Sequence, residues 1–112
     1  MEKHRVIISE KAKEQLLDIA LYIAAGSGDE KRAENYLDKL KSGIKLLADQ
    51  PEMGFIPTNR MLERKGYRIL AIEKHLVFYK VNAAEKAVTV YAVVHARQDY
   101  LRIIGSFDKQ EH

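Results

Sequence analysis

The residues best suited to chemistry lie close together near the end of the chain, in the string His95-Ala96-Arg97-Gln98-Asp99-Tyr100. Arg97 is permanently charged and can bind a phosphate or a carboxylate through paired hydrogen bonds. Tyr100 can stack on a nucleobase or donate a proton, and His95 titrates near neutral pH. The string directly follows a predicted strand, where functional side chains often lie. The structural alternative is that Arg97 pairs with Asp99, while His95 packs half-buried and Tyr100 anchors a final helix.

Arg68, on another predicted strand, is the second candidate for binding an anion. If the sheet brings it near Arg97, two guanidinium groups share one surface, and such like-charged neighbours are tolerated chiefly where an anion binds. The structural alternative is an ion pair between Arg68 and one of the acidic residues Glu73, Glu85 and Asp99. The sequence leaves both interpretations open.

Other polar and aromatic residues of this half have structural interpretations. Lys74 and His75 occupy a predicted hairpin turn, where polar residues are expected in any case, and we interpret both as turn residues. The tyrosines at predicted strand positions are interpreted as packing residues rather than as platforms for base stacking; they are Tyr67, Tyr79 and Tyr91.

Composition and spacing exclude several kinds of site. The six glycines lack the spacing of a phosphate-binding loop, and no nucleophile motif such as G-x-S-x-G occurs. The four histidines are dispersed and there is no cysteine, so we expect no metal, no disulfide and no cofactor. The apolar run near the N-terminus is too short for a secretory signal or a membrane span. A cytoplasmic location is therefore expected, and the absence of cysteine fits its reducing conditions.

The charge of the chain is unevenly distributed. Residues 1–59 hold nine Lys and Arg against ten Asp and Glu, whereas residues 60–102 hold nine against four, a balance of +5. A basic half beside a near-neutral half suggests an anionic partner, either nucleic acid or an acidic protein segment. A solvated basic surface without a partner is the alternative.

The elements that must position these residues begin with a strand and two helices. The run His4–Ser9 is β-branched and predicts a strand, and Ser9 can cap a following helix. Apolar residues at helical spacing predict a hairpin of helices over residues 10–25 and 29–49, separated by Gly26-Ser27-Gly28 and ended by Pro51. Either Ser27 or Asp29 can cap the second helix. We expect the two apolar stripes, represented by Leu16 and Leu40, to face a sheet.

The second half predicts strands. A loop over residues 52–65, with a short helix at Arg60–Arg64, precedes three strands over 66–73, 75–82 and 87–96 that form an antiparallel meander. A short helix within Ala96–Ile104 and a mobile tail after about residue 105 are expected. The fold class is α+β, a two-layer β-α-α-β-β-β arrangement with the helix hairpin on the sheet, in one domain over residues 1–112. Alternation in the last strand places Val88, Val90, Ala92 and Val94 on one face and Thr89, Tyr91, Val93 and His95 on the other.

The ordered set of elements and local strings resembles the RelE/ParE toxin superfamily, also called plasmid-stabilisation proteins. The resemblance runs from about His4 to Ile104 and rests on several strings taken in order. These are Ser9 followed by Ala12-x-x-x-Leu16-x-x-Ile19 and Tyr22-Ile23; Leu47-Ala48-Asp49-Gln50-Pro51 with Gly54; Tyr67-Arg68-Ile69-Leu70; Leu76-Val77-Phe78-Tyr79-Lys80-Val81; and Val93-Val94-His95-Ala96-Arg97-Gln98-Asp99-Tyr100.

The resemblance implies a bacterial cytoplasmic toxin encoded beside an antitoxin that wraps it with an extended or helical segment. RelE-like members cleave messenger RNA on the ribosome, and here Arg68, Arg97 and Tyr100 match the positions of their arginines and late tyrosine. ParE-like members poison DNA gyrase without that set. The thin lysine content before the strands and the H-A-R-Q-D ending favour the ParE-like branch, with a ribosome-dependent nuclease and a non-toxic binding relative as alternatives. Candidate residues for binding the antitoxin or the target are Arg64, Lys65, Arg68, Lys74, His95 and Arg97.

Overall fold

The first half of the chain forms one strand and a helix hairpin, as predicted. In a computed structural model, which describes residues 3–102, strand β1 (Arg5–Ile8) leads into helix α1 (Glu10–Ser27). The Ser9 hydroxyl caps α1 by accepting the amide hydrogen of Ala12. Helix α1 ends at Gly28, whose φ of 67° is a left-handed conformation that glycine adopts without strain. Helix α2 (Glu30–Lys45) follows and continues into a 3₁₀ turn over Leu46–Ala48.

Asp29 is the residue that caps α2. Its carboxylate accepts the amide hydrogens of Lys31 and Arg32, two of the donors that a helix N-terminus leaves unpaired. The alternative cap, Ser27, instead donates its hydroxyl hydrogen to the carbonyl of Ile23. The link between the helices is therefore fixed by a glycine on one side and a carboxylate on the other.

The second half forms the predicted antiparallel meander of β2 (Tyr67–Ile72), β3 (His75–Asn82) and β4 (Ala87–His95). The strand order in the sheet is β1-β4-β3-β2, and β1 lies parallel to β4. The sheet is thus antiparallel except at its β1 edge.

The helix hairpin covers one face of this sheet. Leu16 of α1 and Leu40 of α2 are buried in one core with residues from β3 and β4, which confirms the predicted orientation of the two apolar stripes. The two helices are joined by a short link. The apolar area that they bury against the sheet stabilises the two-layer arrangement.

A β-bulge in β4 changes which side chains share that core. Phe78 pairs with Ala92 but Tyr79 pairs with Val90, so Tyr91 is an extra residue inserted in β4 at this point of the register. The predicted alternation was therefore wrong beyond this point, because an inserted residue reverses the faces of all that follow it. Val93 lies in the core under the helices with Val88 and Val90, whereas Ala92 and Val94 lie in the core on the opposite face.

That opposite face carries a smaller cluster. The predicted short helix is present as α3 (Arg60–Arg64), and its Leu62 packs with Tyr67 and Phe78. A helical turn begins at Tyr100 and includes Arg102, within the predicted range Ala96–Ile104, and residues 96–98 form a turn and a bend after β4. The predicted remainder of this helix and the tail after residue 105 lie outside the described residues.

Candidate binding groove

A groove of about 1450 Å³ separates the helix hairpin from the end of β4 and the start of β3. Helix α1 supplies one wall, which includes Ile19, Tyr22 and Ile23, and Tyr22 is 82% exposed. Helix α2 and the β2–β3 turn supply the other wall, which is polar and basic. We refer to this space, lined by residues of α1, α2, the β2–β3 turn and the end of β4, as the hairpin groove.

Three ring side chains that line the hairpin groove contact one another. The rings of Tyr36 and His75 meet edge to face at 5.5 Å, and those of His75 and His95 do so at 5.3 Å. Tyr36 comes from α2, His75 begins β3, and His95 ends β4 directly opposite His75 in the strand register. The sheet register and the packing of α2 on the sheet therefore build a polar cluster from residues far apart in sequence.

Hydrogen bonds connect the rings of this cluster to each other and to the backbone. The Tyr36 hydroxyl accepts the backbone amide hydrogen of Lys74 at 3.2 Å, and we assign its own hydrogen to the 2.7 Å bond with Nδ1 of His75. Nδ1 of His95 accepts the amide hydrogen of Arg97 at 3.1 Å. With Nδ1 accepting from the Tyr36 hydroxyl, the neutral His75 ring carries its hydrogen on Nε2.

Burial keeps the centre of the cluster neutral. His75 is only 8% exposed, and loss of hydration lowers its pKa from 6.5 to about 4, with a further lowering by nearby His95. Burial likewise raises the pKa of Tyr36; the Glu73 carboxylate adds to the rise, and the Lys74 amide opposes it. Both rings therefore act as uncharged hydrogen-bonding groups at neutral pH.

Positive charge surrounds the neutral cluster. The hairpin groove is lined by the cations Lys31, Arg32, Lys39 and Lys74 and by the anions Asp18 and Asp29. The Asp29 carboxylate is occupied in capping α2, and Lys39 forms a partly exposed ion pair with Glu73 at 3.7 Å. Within residues 3–102, Lys31, Arg32 and Lys74 form no ion pair. The basic wall is therefore electrostatically suited to an acidic partner.

Comparison with known proteins gives a family. The family model described as the ParE toxin of the type II toxin-antitoxin system parDE matches residues 6–100 of this chain. The chain belongs to the ParE toxin family. Members of this family are the toxin components of type II toxin–antitoxin modules, which work in pairs with an antitoxin, and this ParE-family toxin accordingly has a cognate antitoxin as its partner.

Similar proteins agree with this family. Toxin ParE1 of Caulobacter vibrioides is 35% identical over 83 residues, which are 74% of this chain and 82% of that protein. Among solved structures, a chain of the chromosomal ParDE toxin–antitoxin system of P. aeruginosa superposes with a TM-score of 0.69 at 15% identity, covering 83% of this chain and 96% of that one. E. coli toxin RelE, as a mutant in the free state, superposes with a TM-score of 0.61 at 12% identity, covering 89% of this chain and 90% of that one. The last two likenesses show the fold alone.

Two of the predicted binding residues of this ParE-family toxin, Lys74 and His95, line the hairpin groove. Arg97 follows at the surface, and the structure shows no ion pair between it and Asp99 within residues 3–102. The Asp99 carboxylate instead accepts the amide hydrogen of Arg102, with a donor–acceptor distance of 3.4 Å.

Arg68 lies further along the sheet than the strand end that leads to Arg97, so the register does not place the two arginines side by side. The register partner of Arg68 in β3 is Tyr79. Tyr79 lies four residues from His75, which corresponds to roughly 13 Å along the strand. Its guanidinium donates to the carbonyl of Glu52 at 3.1 Å, and its Nε is buried without a partner among the described residues. No ion pair joins it to a described carboxylate, so a loop backbone is its contact.

The remaining candidates are also dispersed. Arg64 ends α3 and Lys65 caps it, at the surface. The Tyr100 ring packs against Phe78 at 5.3 Å on the face opposite the helices, whereas Arg68 shares the helix-facing side with its register partner Tyr79. Of the three residues that match the nuclease branch, Arg68 and Tyr100 thus lie on opposite faces of the sheet, and Arg97 is exposed beyond the end of β4.

Tyr36 was not among the residues predicted from the sequence, and His75 is not the turn residue that was predicted. Lys74 is a turn residue as interpreted, but His75 is the first residue of β3 and is buried. A usable signal was present: period-two alternation places His75 on the same face as Val77 and Tyr79, both of which are core residues under the helices. Tyr36 gave no such signal, because its partner is distant in sequence.

The described residues of this toxin contain no group of three or more side chains suited to hold a metal ion. Within the same residues, no helix combines the length and the apolar character needed to cross a membrane.

Proposed function

We propose that this toxin inhibits bacterial growth in the cytoplasm by poisoning DNA gyrase and that its cognate antitoxin neutralises it. The observation that carries the proposal is the dispersal of Arg68, Arg97 and Tyr100. A ribosome-dependent nuclease must activate a ribose hydroxyl, stabilise a phosphate and protonate a leaving oxygen at one place. Side chains that lie on opposite faces of a sheet do not suit that task, whereas a poison that acts by binding has no such requirement.

The basic residues outside the hairpin groove are the proposed contacts with the target. Arg64, Lys65 and Arg68 lie at or near the C-terminal end of α3, and Arg97 lies beyond β4. A complex of gyrase with DNA presents phosphates, and such contacts spread binding energy over many cations. Lys74 and His95, which line the groove, are the proposed contacts with the antitoxin.

The test compares the parent with Tyr100→Phe and Arg97→Ala in two assays. We expect the parent to inhibit supercoiling by purified gyrase and Tyr100→Phe to be nearly silent, because it keeps the ring on Phe78 and removes only a hydroxyl. Arg97→Ala should weaken inhibition modestly, since few single contacts dominate a binding patch. Arg102→Ala, at an exposed arginine of the following helical turn, is the matched control.

Translation extracts provide the opposing assay. Ribosome-bound messages that are cut by the parent and spared by Tyr100→Phe or Arg97→Ala, with losses of ~10²-fold or more, would refute the gyrase proposal in favour of the nuclease. A parent that arrests neither growth nor supercoiling would instead identify a non-toxic binding relative.

A further inference from the structure

Apolar side chains are concentrated on the surface of the segment that leads into α3. Met53, Phe55, Ile56 and Met61 are exposed there, and Phe55 and Ile56 are each more than half exposed. Single exposed apolar residues are ordinary on a protein surface, whereas a group of them in one place indicates contact with another molecule. We refer to the surface formed by Met53, Phe55, Ile56 and the exposed side of α3 as the α3 surface.

The backbone of this segment is fixed to the edge of the sheet. Phe55 exchanges two hydrogen bonds with Ile69 of β2, at 2.8 and 2.9 Å, and the buried amide of Gly54 donates to the Tyr79 hydroxyl at 2.8 Å. The Asn59 side chain caps α3 by accepting an amide hydrogen of its first turn. None of these bonds requires an apolar side chain at the exposed positions. A partner would find those side chains already held in place, which lowers the entropy cost of binding.

A cleft of about 260 Å³ lies between this segment and the C-terminal end of α3. It is lined by Ile56 of the segment, by Glu63 of α3, and by Arg68 and Val81 of the sheet. Arg68 is half-buried, and one of its terminal nitrogens donates to the carbonyl of Glu52. Its Nε is buried and has no hydrogen-bond partner among residues 3–102, which is costly for a charged donor. The cleft therefore offers apolar side chains and a guanidinium to an incoming oxygen acceptor.

The charge around the cleft is positive. Residues 52–68 hold four Lys and Arg against two Glu, a balance of +2. Arg60 and Arg64 are exposed on α3, and neither forms an ion pair within residues 3–102. An acidic partner complements this charge, and arginine is enriched at contacts between proteins. Interfaces with DNA are more polar than those between proteins, so the apolar side chains of the α3 surface favour a protein as the partner.

We propose that the α3 surface binds an acidic protein surface of the target, and that this surface belongs to gyrase itself and not to its DNA. Apolar side chains of the partner pack on Phe55 and Ile56, and one of its carboxylates enters the cleft and accepts hydrogen bonds from Arg68. The α3 surface shares no residue with the hairpin groove, so the two are separate binding sites. The identity of the partner rests on the proposed poisoning of gyrase, whereas the use of this surface rests on its own geometry and charge.

Binding of the toxin to purified gyrase without DNA tests the apolar contact. Phe55→Ala and Ile56→Ala should each raise Kd by about tenfold or more, because a few anchor side chains carry most of the energy of an interface. Leu17→Ala and Leu21→Ala are matched controls, since these leucines are similarly exposed on α1 and do not line the hairpin groove. Urea unfolding should change little in all four variants, because each of these side chains is more than half exposed.

The same binding assay tests the charge and the hydrogen bonding. Arg60→Ala with Arg64→Ala should weaken binding and reduce its dependence on salt. The control, Lys11→Ala with Lys41→Ala, removes the same charge from exposed residues of α1 and α2 and should do neither. Arg68→Lys keeps the charge but loses the planar set of donors, and we expect it to bind about tenfold more weakly. Binding of Arg68→Lys equal to that of the parent would refute the contact between Arg68 and a carboxylate.

Three further outcomes would overturn the proposal. Binding of gyrase by Phe55→Ala and Ile56→Ala as tight as that of the parent would show that the α3 surface is not the contact. Binding of the parent to a DNA duplex alone, lost in Arg60→Ala with Arg64→Ala but kept in Phe55→Ala, would assign the surface to nucleic acid. A dimer in analytical ultracentrifugation that Phe55→Ala dissociates would assign the surface to a second copy of this chain.

Growth arrest in cells separates failure of this proposal from failure of the gyrase proposal. If the parent does not bind gyrase, but Phe55→Ala and Ile56→Ala abolish growth arrest while the two leucine controls keep it, gyrase is refuted as the partner and the α3 surface is the contact with another protein. If all four variants arrest growth and bind gyrase as the parent does, the role of the α3 surface is refuted and the gyrase proposal stands.

Discussion

Burial of a neutral histidine predicts that this toxin loses stability in mild acid. His75 is 8% exposed, and its pKa is lowered from 6.5 to about 4 by burial and then by His95. Between these two values, the unfolded chain binds a proton at this residue and the folded chain does not. The contribution of the neutral His75 to the free energy of unfolding is therefore fully present above pH 6.5 and is lost as the pH falls toward 4.

The size of the loss follows from the two pKa values. The difference between 6.5 and about 4, at 1.36 kcal/mol per pKa unit, corresponds to a limit of about 3 kcal/mol below pH 4. At pH 5 the unfolded state is almost fully protonated and the folded state is largely neutral, so we expect a loss of about 2 kcal/mol relative to pH 7.5. That is a large part of the stability of a small domain.

Urea unfolding of the parent and of His75→Gln at pH 7.5, 6 and 5 measures this effect. Glutamine keeps an acceptor for the Tyr36 hydroxyl but does not titrate, so the free energy of unfolding of the parent should fall by about 2 kcal/mol more than that of the variant. His95→Gln should give an intermediate loss, because it removes the secondary cause of the lowered pKa. Parallel pH profiles for the parent and His75→Gln would refute the reasoning, as would an NMR titration in which His75 charges near pH 6.5.

Four further substitutions test local packing and helix capping. A Cβ on Gly54 would lie 2.6 Å from Oη of Tyr79 and 2.7 Å from the carbonyl oxygen of Ile69, so Gly54→Ala should lower the free energy of unfolding by about 2 kcal/mol or more in thermal or urea melts. Gly26→Ala, in α1 with nothing within 4 Å of the new Cβ, should instead be stabilising by up to about 1 kcal/mol, and equal effects at the two glycines would contradict the close approach. Asp29→Ala should cost about 1 kcal/mol by removing the cap of α2, and Asp29→Asn should recover most of it; an unchanged melt for the alanine variant would show that the cap is dispensable.

The elements of this protein follow from local patterns. Helical spacing of Leu16 and Leu40 with their neighbours, glycine at the end of α1 and alternation in the second half predicted the α+β hairpin and meander that the structure shows. These features depend on residues a few positions apart, so each stretch of sequence carries its own signal. The same patterns, taken in order, predicted membership of the toxin superfamily, which the family comparison confirms.

The placement of functional side chains was decided by contacts that no local pattern carries. A single extra residue at Tyr91 reversed the faces beyond it, and the register of β2 set Arg68 far along the sheet from Arg97. The cluster of Tyr36, His75 and His95 requires α2 to pack on the ends of two strands.

The part of β4 beyond its pairing with β1 exists for a similar reason. Its cause is a mismatch in length between β1, with four residues, and β4, with nine. The sequence determines how long each strand can be, but which strands become neighbours is set by the pairing that buries the most apolar surface and satisfies the most backbone groups. Only the folded sheet therefore shows that β4 extends past β1, and that the amides of Val93 and His95 depend on glutamine side chains.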